Sequence, residues 1–231
     1  MLNFSIQVSC EYICEPIYRV NGQLLGVELL TRFSSNDTSN EQLNSASFIK
    51  ELSIENKRKL MLDQLEEIDK KSHLFRTNNL LCSINIDFTM AKLLVMDNTI
   101  KTILDKHDFI RLEVSECFPN ISNGLKNPLL SELHERYHLW LDDLGAGHAN
   151  VEALQAGLFE LIKIDRNFYW GNTRSMMWPI TVEKISELCS QIIIVGIENP
   201  LQLNLLSSLG ITGVQGYLYK SVALDDINTL L

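Results

Sequence analysis

Two adjacent acids, Asp142 and Asp143, follow the apolar triplet Leu139-Trp140-Leu141 and precede Gly145-Ala146-Gly147. An apolar run closed by glycines reads as a buried strand that ends in a tight loop. Neighbouring carboxylates at a strand end repel each other, and a divalent cation commonly neutralises them, because hard cations take oxygen ligands. An isolated Asp-Asp pair can equally be a solvated turn. What weighs against that here is repetition: Glu28, Asn85, Glu113, Lys163 and Gln215 also fall at or near the ends of segments that read as strands. So many polar groups collected at one kind of position point to a site with metal-binding chemistry.

The elements that must position these groups follow from periodicity. Residues 12–20 and 24–30 carry aromatic, β-branched and aliphatic side chains and flank Asn21-Gly22. That dipeptide between two such runs predicts a hairpin with a type I′ turn, so the first two strands run antiparallel. Residues 34–47 read as a loop, and 48–75 show helical spacing, as two helices or one broken helix. A rhythm of strand and helix then sets in, with strands at 80–86, 109–114, 138–141, 158–164, 192–195 and 213–217. Helices are predicted at 90–107, 129–137, 151–155, 178–190, 201–209 and 224–231. Alternation of this kind means parallel strands joined by right-handed crossovers. Eight strands close most naturally as an α/β fold of the modified (β/α)8 TIM type with an antiparallel first strand, and residues 1–231 read as one domain. Active sites of such barrels sit at the C-terminal ends of the strands, where the polar groups above would converge.

Composition bounds the function. A hydrophobic content of 45% with 21% charged residues supports a large core and argues against disorder. The formal charge of −9 disfavours direct nucleic-acid binding, which needs a basic stripe. It leaves room for a basic protein partner or a metal. Five cysteines with no C-x-x-C spacing suit free thiols, with Cys82 and Cys189 in apolar settings. No signal peptide and no membrane-spanning run is evident, so a cytoplasmic location is expected. Trp140 and Trp178 read as core. His148 reads as a loop hydrogen-bonder, and Glu66-Glu67 with Lys70-Lys71 as a solvated helix face.

In order along the chain, Glu28-Leu29-Leu30-x-Arg32, Asn85, Glu113-Val-Ser-Glu116, Asp142-Asp143-Leu-Gly145-Ala-Gly147, Lys163-Ile164-Asp165 and Gln215-Gly216-Tyr217 resemble the motifs of EAL domains. These are bacterial phosphodiesterases that open cyclic di-GMP to linear pGpG using two divalent ions. The resemblance implies that Glu28, Asn85, Glu113 and Asp142 bind one ion, with Asp142 bridging to a second that Asp143 also holds. It further implies that Lys163 orients the attacking water, that Arg32 meets a phosphate and that Gln215 lies near the ligand.

The departures shape the functional expectation. The family's seventh strand normally ends Ala-Glu-Gly-Val-Glu, and its first Glu completes the second ion's shell. Here that stretch reads Ile194-Val195-Gly196-Ile197-Glu198, so Val195 takes the Glu position. Leu144 stands where the family prefers Phe, and Ala146 replaces a Thr. The site is therefore expected to be vestigial: no catalytic residue works, no cofactor is required, and Mg or Mn would matter only for residual activity. Catalytic members often carry sensory modules, whereas this chain is bare. Its 26–35 and 144–147 stretches resemble the enteric subgroup that binds the flagellar master regulator FlhDC through FlhD and represses motility. FlhD is thus the expected partner. Active phosphodiesterase chemistry and non-hydrolysing cyclic di-GMP sensing are the alternatives.

Overall fold

The computed structural model describes residues 8–35, 42–146 and 157–231. The predicted helix at 151–155, Gly147 and His148 lie outside the described residues. The first two strands, β1 (Val8–Arg19) and β2 (Leu24–Ser35), pair antiparallel, with Glu15 opposite Glu28. Their connection differs from the expected type I′ turn. The Arg19 N–H donates to Gln23 O at 2.7 Å and the Gly22 N–H to Arg19 O at 2.9 Å. Gly22 has φ +87°, whereas Asn21 is not among the residues at positive φ. A three-residue loop with one left-handed glycine suits the twist of the ribbon as well as the two-residue turn does, and needs only one such residue.

From β2 onward the strands β3 (Leu81–Asn85), β4 (Ile110–Ser115), β5 (Leu139–Leu144), β6 (Leu161–Ile164), β7 (Ile192–Val195) and β8 (Gly213–Gln215) pair in parallel, each with the next. β8 then pairs antiparallel with β1 and closes the barrel. The eight expected strands and their order are therefore present. A two-residue strand not expected from the sequence, β9 (Val222–Ala223), pairs with β1 outside the ring.

The helices wrap this ring: α1 (Ser45–Glu51), α2 (Ile54–Lys70), α3 (Ser72–Thr77), α4 (Phe88–Met96), α5 (Asn98–Leu104), α6 (Pro128–Arg136), α7 (Arg166–Asn172), α8 (Trp178–Leu188) and α9 (Pro200–Leu206). α2 shows why they pack: Leu60, Met61, Gln64, Leu65 and Ile68 are buried at helical spacing, while Ser53 caps its first turn. The expected single helix at 90–107 is two, because Asp97 ends α4 and accepts bonds from the Thr99 and Ile100 amides at 2.8 and 3.2 Å, starting α5. The final segment, Leu224–Leu230, is a 3₁₀ helix, and α7 was not expected.

Strand pleating sorts the barrel interior into layers. Ile17, Leu25, Trp140, Leu161 and Ile193 form a buried apolar plug. Two residues further along β2, β5, β6, β7 and β8, beyond Gly26, Trp140, Leu161, Ile193 and Gly213, stand Glu28, Asp142, Lys163, Val195 and Gln215. The plug thus floors a polar layer at the C-terminal mouth. Gly26 lets β2 and β3 approach: a Cβ there would lie 2.3 Å from Leu81 O. Gly26→Ala is expected to destabilise the fold by about 2 kcal/mol or more through forced separation of the strands, read as a lower urea midpoint; an unchanged midpoint would contradict this packing.

Candidate functional site

Six of the residues picked from the sequence meet at the mouth. The Lys163 Nζ donates to Glu28 Oε2 at 2.6 Å and to Glu113 Oε2 at 2.8 Å, and stands 3.4 Å from Asp142 Oδ1. Asn85 Nδ2 donates to Glu28 Oε1 at 2.6 Å, and Gln215 Nε2 to Glu28 Oε2 at 2.8 Å. Four different strands deliver the four charged groups, each through its inward parity. Lys163 is 2% exposed and Glu113 fully buried.

The electrostatics follow from unequal partnering. Burial alone raises the pKa of every carboxyl here. At Glu28 the Lys163 charge and three donors outweigh burial, and its carboxyl is held below the usual range. Glu113 has one donor, and its Oε1 is buried without a partner among the described atoms. Burial and the nearby Glu28 charge push Glu113 well up. Asp142 is pushed up to about 6 by burial, with Glu28 and Asp143 adding to it against Lys163. Opposed by three acids, Lys163 stays charged despite its burial, with its pKa well above the ordinary value.

Ligand oxygens of Glu28, Glu113 and Asp142 lie within 4.8 Å of one another. With the orphaned Glu113 oxygen and the amide of Asn85, this donor set fits one hard divalent cation. When bound, such an ion would supply Lewis-acid polarisation of a phosphate oxygen. The second ion of the resemblance is a different matter. Asp143 is exposed, with φ +59°, and shares a cavity of about 260 Å³ with Val195, Asp165, Glu15 and Glu198. Among the described residues no other set of three acid, His or Cys ligands comes as close together as the first. Val195 is the apolar member of the polar layer, paired in register with Gln215, and offers no lone pair. Among the described residues, the acids around Asp143 are not drawn together closely enough to fit a second ion.

Two further picks are placed differently. Arg32 is exposed near the end of β2, on the same face as Glu28 two pleats on. Glu116 accepts from the Gly145 amide at 3.1 Å and so ties the end of β4 to the aspartate loop. Sequence reasoning missed Glu15. It faces Glu28 across the hairpin, and burial with the Glu28 charge raises its pKa. Counting back from the Asn-Gly loop along the hairpin would have found it.

A model of the EAL domain family matches residues 11–221. The chain belongs to the EAL domain family. Among its relatives, YdiV of Escherichia coli K12 is 30% identical over 220 residues, 94% of this chain and 92% of that one. The anti-FlhC2FlhD4 factor YdiV of Salmonella arizonae is 26% identical over the same shares. The crystal structure of EAL-like domain protein YdiV superposes with a TM-score of 0.89 at 29% identity, covering 97% of each chain. The EAL enzyme Bd1971, in a form bound to cAMP and cyclic di-GMP, matches with a TM-score of 0.80 at 22% identity, over 96% of this chain and 64% of that one, a likeness of fold. The modified barrel and its antiparallel first strand are thus those of this EAL-like fold.

Lys163 is the internal counter-ion of this EAL site, and two outcomes follow. Lys163→Met leaves buried carboxylates unpaired and is expected to cost about 3–5 kcal/mol of stability at pH 7. Part of that should return on adding millimolar Mg²⁺ or Mn²⁺, seen as a rise in melting temperature larger than in the wild type. Asp142 works in the opposite direction. Its raised folded pKa means that ionisation disfavours the fold as pH climbs from about 4 to about 6. Asp142→Asn should therefore stabilise the chain by about 3 kcal/mol at pH 7, with the gain shrinking as pH falls through that window; destabilisation at pH 7 would refute this.

Proposed function

We propose that this chain is a regulator that binds the flagellar activator FlhC2FlhD4 through FlhD and keeps it off its promoters, and that it does not work as a phosphodiesterase. The observation that carries the second half is Val195, standing in the polar layer beside Asp143, where a second ion would need a carboxylate. In-line attack on a phosphodiester with two ions wants both attacking and leaving oxygens stabilised. One ion and an ammonium already engaged by three acids leave half of that undone. The first half is supported by relatives named anti-FlhC2FlhD4 factor that match over 94% of the chain. No described helix is long and apolar enough to cross a membrane, which suits a partner met in the cytoplasm.

The intact first cluster favours one secondary reading: a site that can take up a cation and cyclic di-GMP without cutting it. Glu28, Asn85, Glu113, Asp142, Lys163 and Gln215 are all held together, and Arg32 is exposed near the end of β2.

The test incubates the purified chain with cyclic di-GMP and Mg²⁺ or Mn²⁺ and follows both binding and pGpG release. Release should stay far below roughly 1 s⁻¹, and Val195→Glu should raise it; turnover at ordinary enzyme rates by the wild type would overturn the proposal. In parallel, FlhD pull-down and promoter-shift assays should show binding and loss of the shifted DNA. Asp142→Asn should leave both nearly intact, because that carboxylate is doing no chemistry. No binding to FlhD at micromolar concentration would refute the regulatory reading.

A further inference from the structure

Beside the buried cation cluster, the ends of β5, β6, β7 and β8 enclose a wider acidic space. This cavity of about 260 Å³ is lined by four carboxylates, Glu15, Asp143, Asp165 and Glu198, against one cation, Arg166. None of the four forms an ion pair with a described residue. A hard metal ion needs oxygens drawn close together around one point. Among the described residues Glu28, Glu113 and Asp142 meet that condition and these four do not. An organic cation spreads its charge over several N–H groups and satisfies carboxylates that stand apart.

The rest of the lining suits such a cation. Trp170 and Tyr217, 40% and 78% exposed, bring aromatic rings to the same cavity, and Val195 adds an apolar flank. The Trp170 N–H donates to Gly196 O at 3.0 Å, so the polar edge of the indole is satisfied within the chain and its position is fixed. The Arg166 guanidinium lies 5.7 Å from the Trp170 ring centroid, within the range of a cation–π contact. The chain thus already shows, with a residue of its own, the contact a guanidinium makes here. Gln215 supplies an independent sign. Its Nε2 donates to Glu28 and it stands beside Glu15, while its Oε1 is buried without a partner among the described atoms, in a side chain 2% exposed. Val195 pairs with Gln215 in register and Gly216 follows it, and both line the cavity. An acceptor lacking a donor therefore stands directly behind this wall, and a buried acceptor of that kind calls for an N–H group.

We infer that this cavity is a binding site for an alkylguanidinium group, held among Glu15, Asp143, Asp165 and Glu198 with Trp170 as its stacking partner and Val195 along its alkyl stem. A guanidinium is preferred to an ammonium because it is planar, weakly hydrated, stacks on aromatic rings and presents a fork of N–H donors. Free arginine and an arginine side chain of a protein both carry this chemistry. The purified chain is titrated at constant ionic strength with ethylguanidinium, L-arginine, Nα-acetyl-argininamide and Nα-acetyl-lysinamide, followed by tryptophan fluorescence and by ligand-detected NMR. Trp140 and Trp178 are buried, so the fluorescence change should come from Trp170. Trp170→Phe should abolish it while NMR still detects binding. Ethylguanidinium should bind with a Kd of about 1–10 mM, and the lysine compound at least about threefold more weakly than its arginine counterpart. Glu15→Gln combined with Glu198→Gln should weaken binding at least about fivefold. The melting temperature should hold or rise, because removing the Glu15 charge relieves its repulsion with Glu28. Arg166→Gln should tighten binding about twofold by removing a competing cation, and Glu135→Gln, at the opposite end of the barrel, should leave it unchanged. L-arginine and acetyl-argininamide carry the same net charge. Tighter binding of the first assigns the site to free arginine, tighter binding of the second to a protein side chain, and either bears out the guanidinium site. No saturable binding of any probe up to about 50 mM, or binding that the Glu15 and Glu198 substitutions leave unmoved, would overturn it.

Discussion

An ammonium group buried among three carboxylates organises this barrel. Taking Lys163 out of water costs several kcal/mol, and only close, hydrogen-bonded counter-charges offset that. Glu28 and Glu113 accept its hydrogen bonds and Asp142 adds a third acid at 3.4 Å, each from a different strand. The arrangement works in both directions: without Lys163 the acids would be forced together unpaired, and without the acids the ammonium could not stay charged. Because Glu28 takes three donors and Glu113 one, the charge concentrates on the β2 side. The unpartnered Glu113 oxygen and the Asp142 carboxyl are the oxygens that a hard cation would take. The apolar plug beneath it excludes water and strengthens each of these interactions.

Against that background a single valine has a consequence out of proportion to its size. Val195 suits the sheet, being β-branched and paired in register with Gln215 of β8. Nothing in the fold penalises it, so the barrel closes with a valine at the place where the family resemblance would put a metal-binding carboxylate. Structure and catalysis therefore separate at this position. The first cluster remains because it holds charge balance for the fold, whatever it does or does not catalyse, and the outside of the barrel is free to serve another purpose. Function lives in sites carried by folds.

Much of this was legible along the chain. Alternating strand and helix periods identified eight strands and their closure, because the pleat and the helical turn repeat every two and 3.6 residues and need no distant partner. The same parity showed which side chains end a strand at the mouth, and comparing motif with motif exposed Val195. Local signals were less decisive where two conformations satisfy the same residues. Asn21-Gly22 marked a hairpin, but the loop length depended on how the two strands twist against each other. Residues 90–107 look like one helix until the Asp97 side chain is seen to accept the amides of the next turn.

Other features were decided only by tertiary structure. Glu28 and Lys163 are 135 residues apart, and Glu28 and Gln215 are 187 apart; which acid the ammonium favours depends on donor geometry that no local pattern encodes. Glu15 became part of the mouth through the hairpin register that sets it opposite Glu28. Trp170 became an exposed, fixed aromatic only because Gly196, from another strand's end, leaves room for Arg166 beside it. The sequence by itself determined the elements and the chemical types at their ends, since these follow from short-range periodicity. Barrel closure alone decided which of those ends meet, which carboxylate is charged and which face is left open, because each depends on contacts between residues remote in the chain.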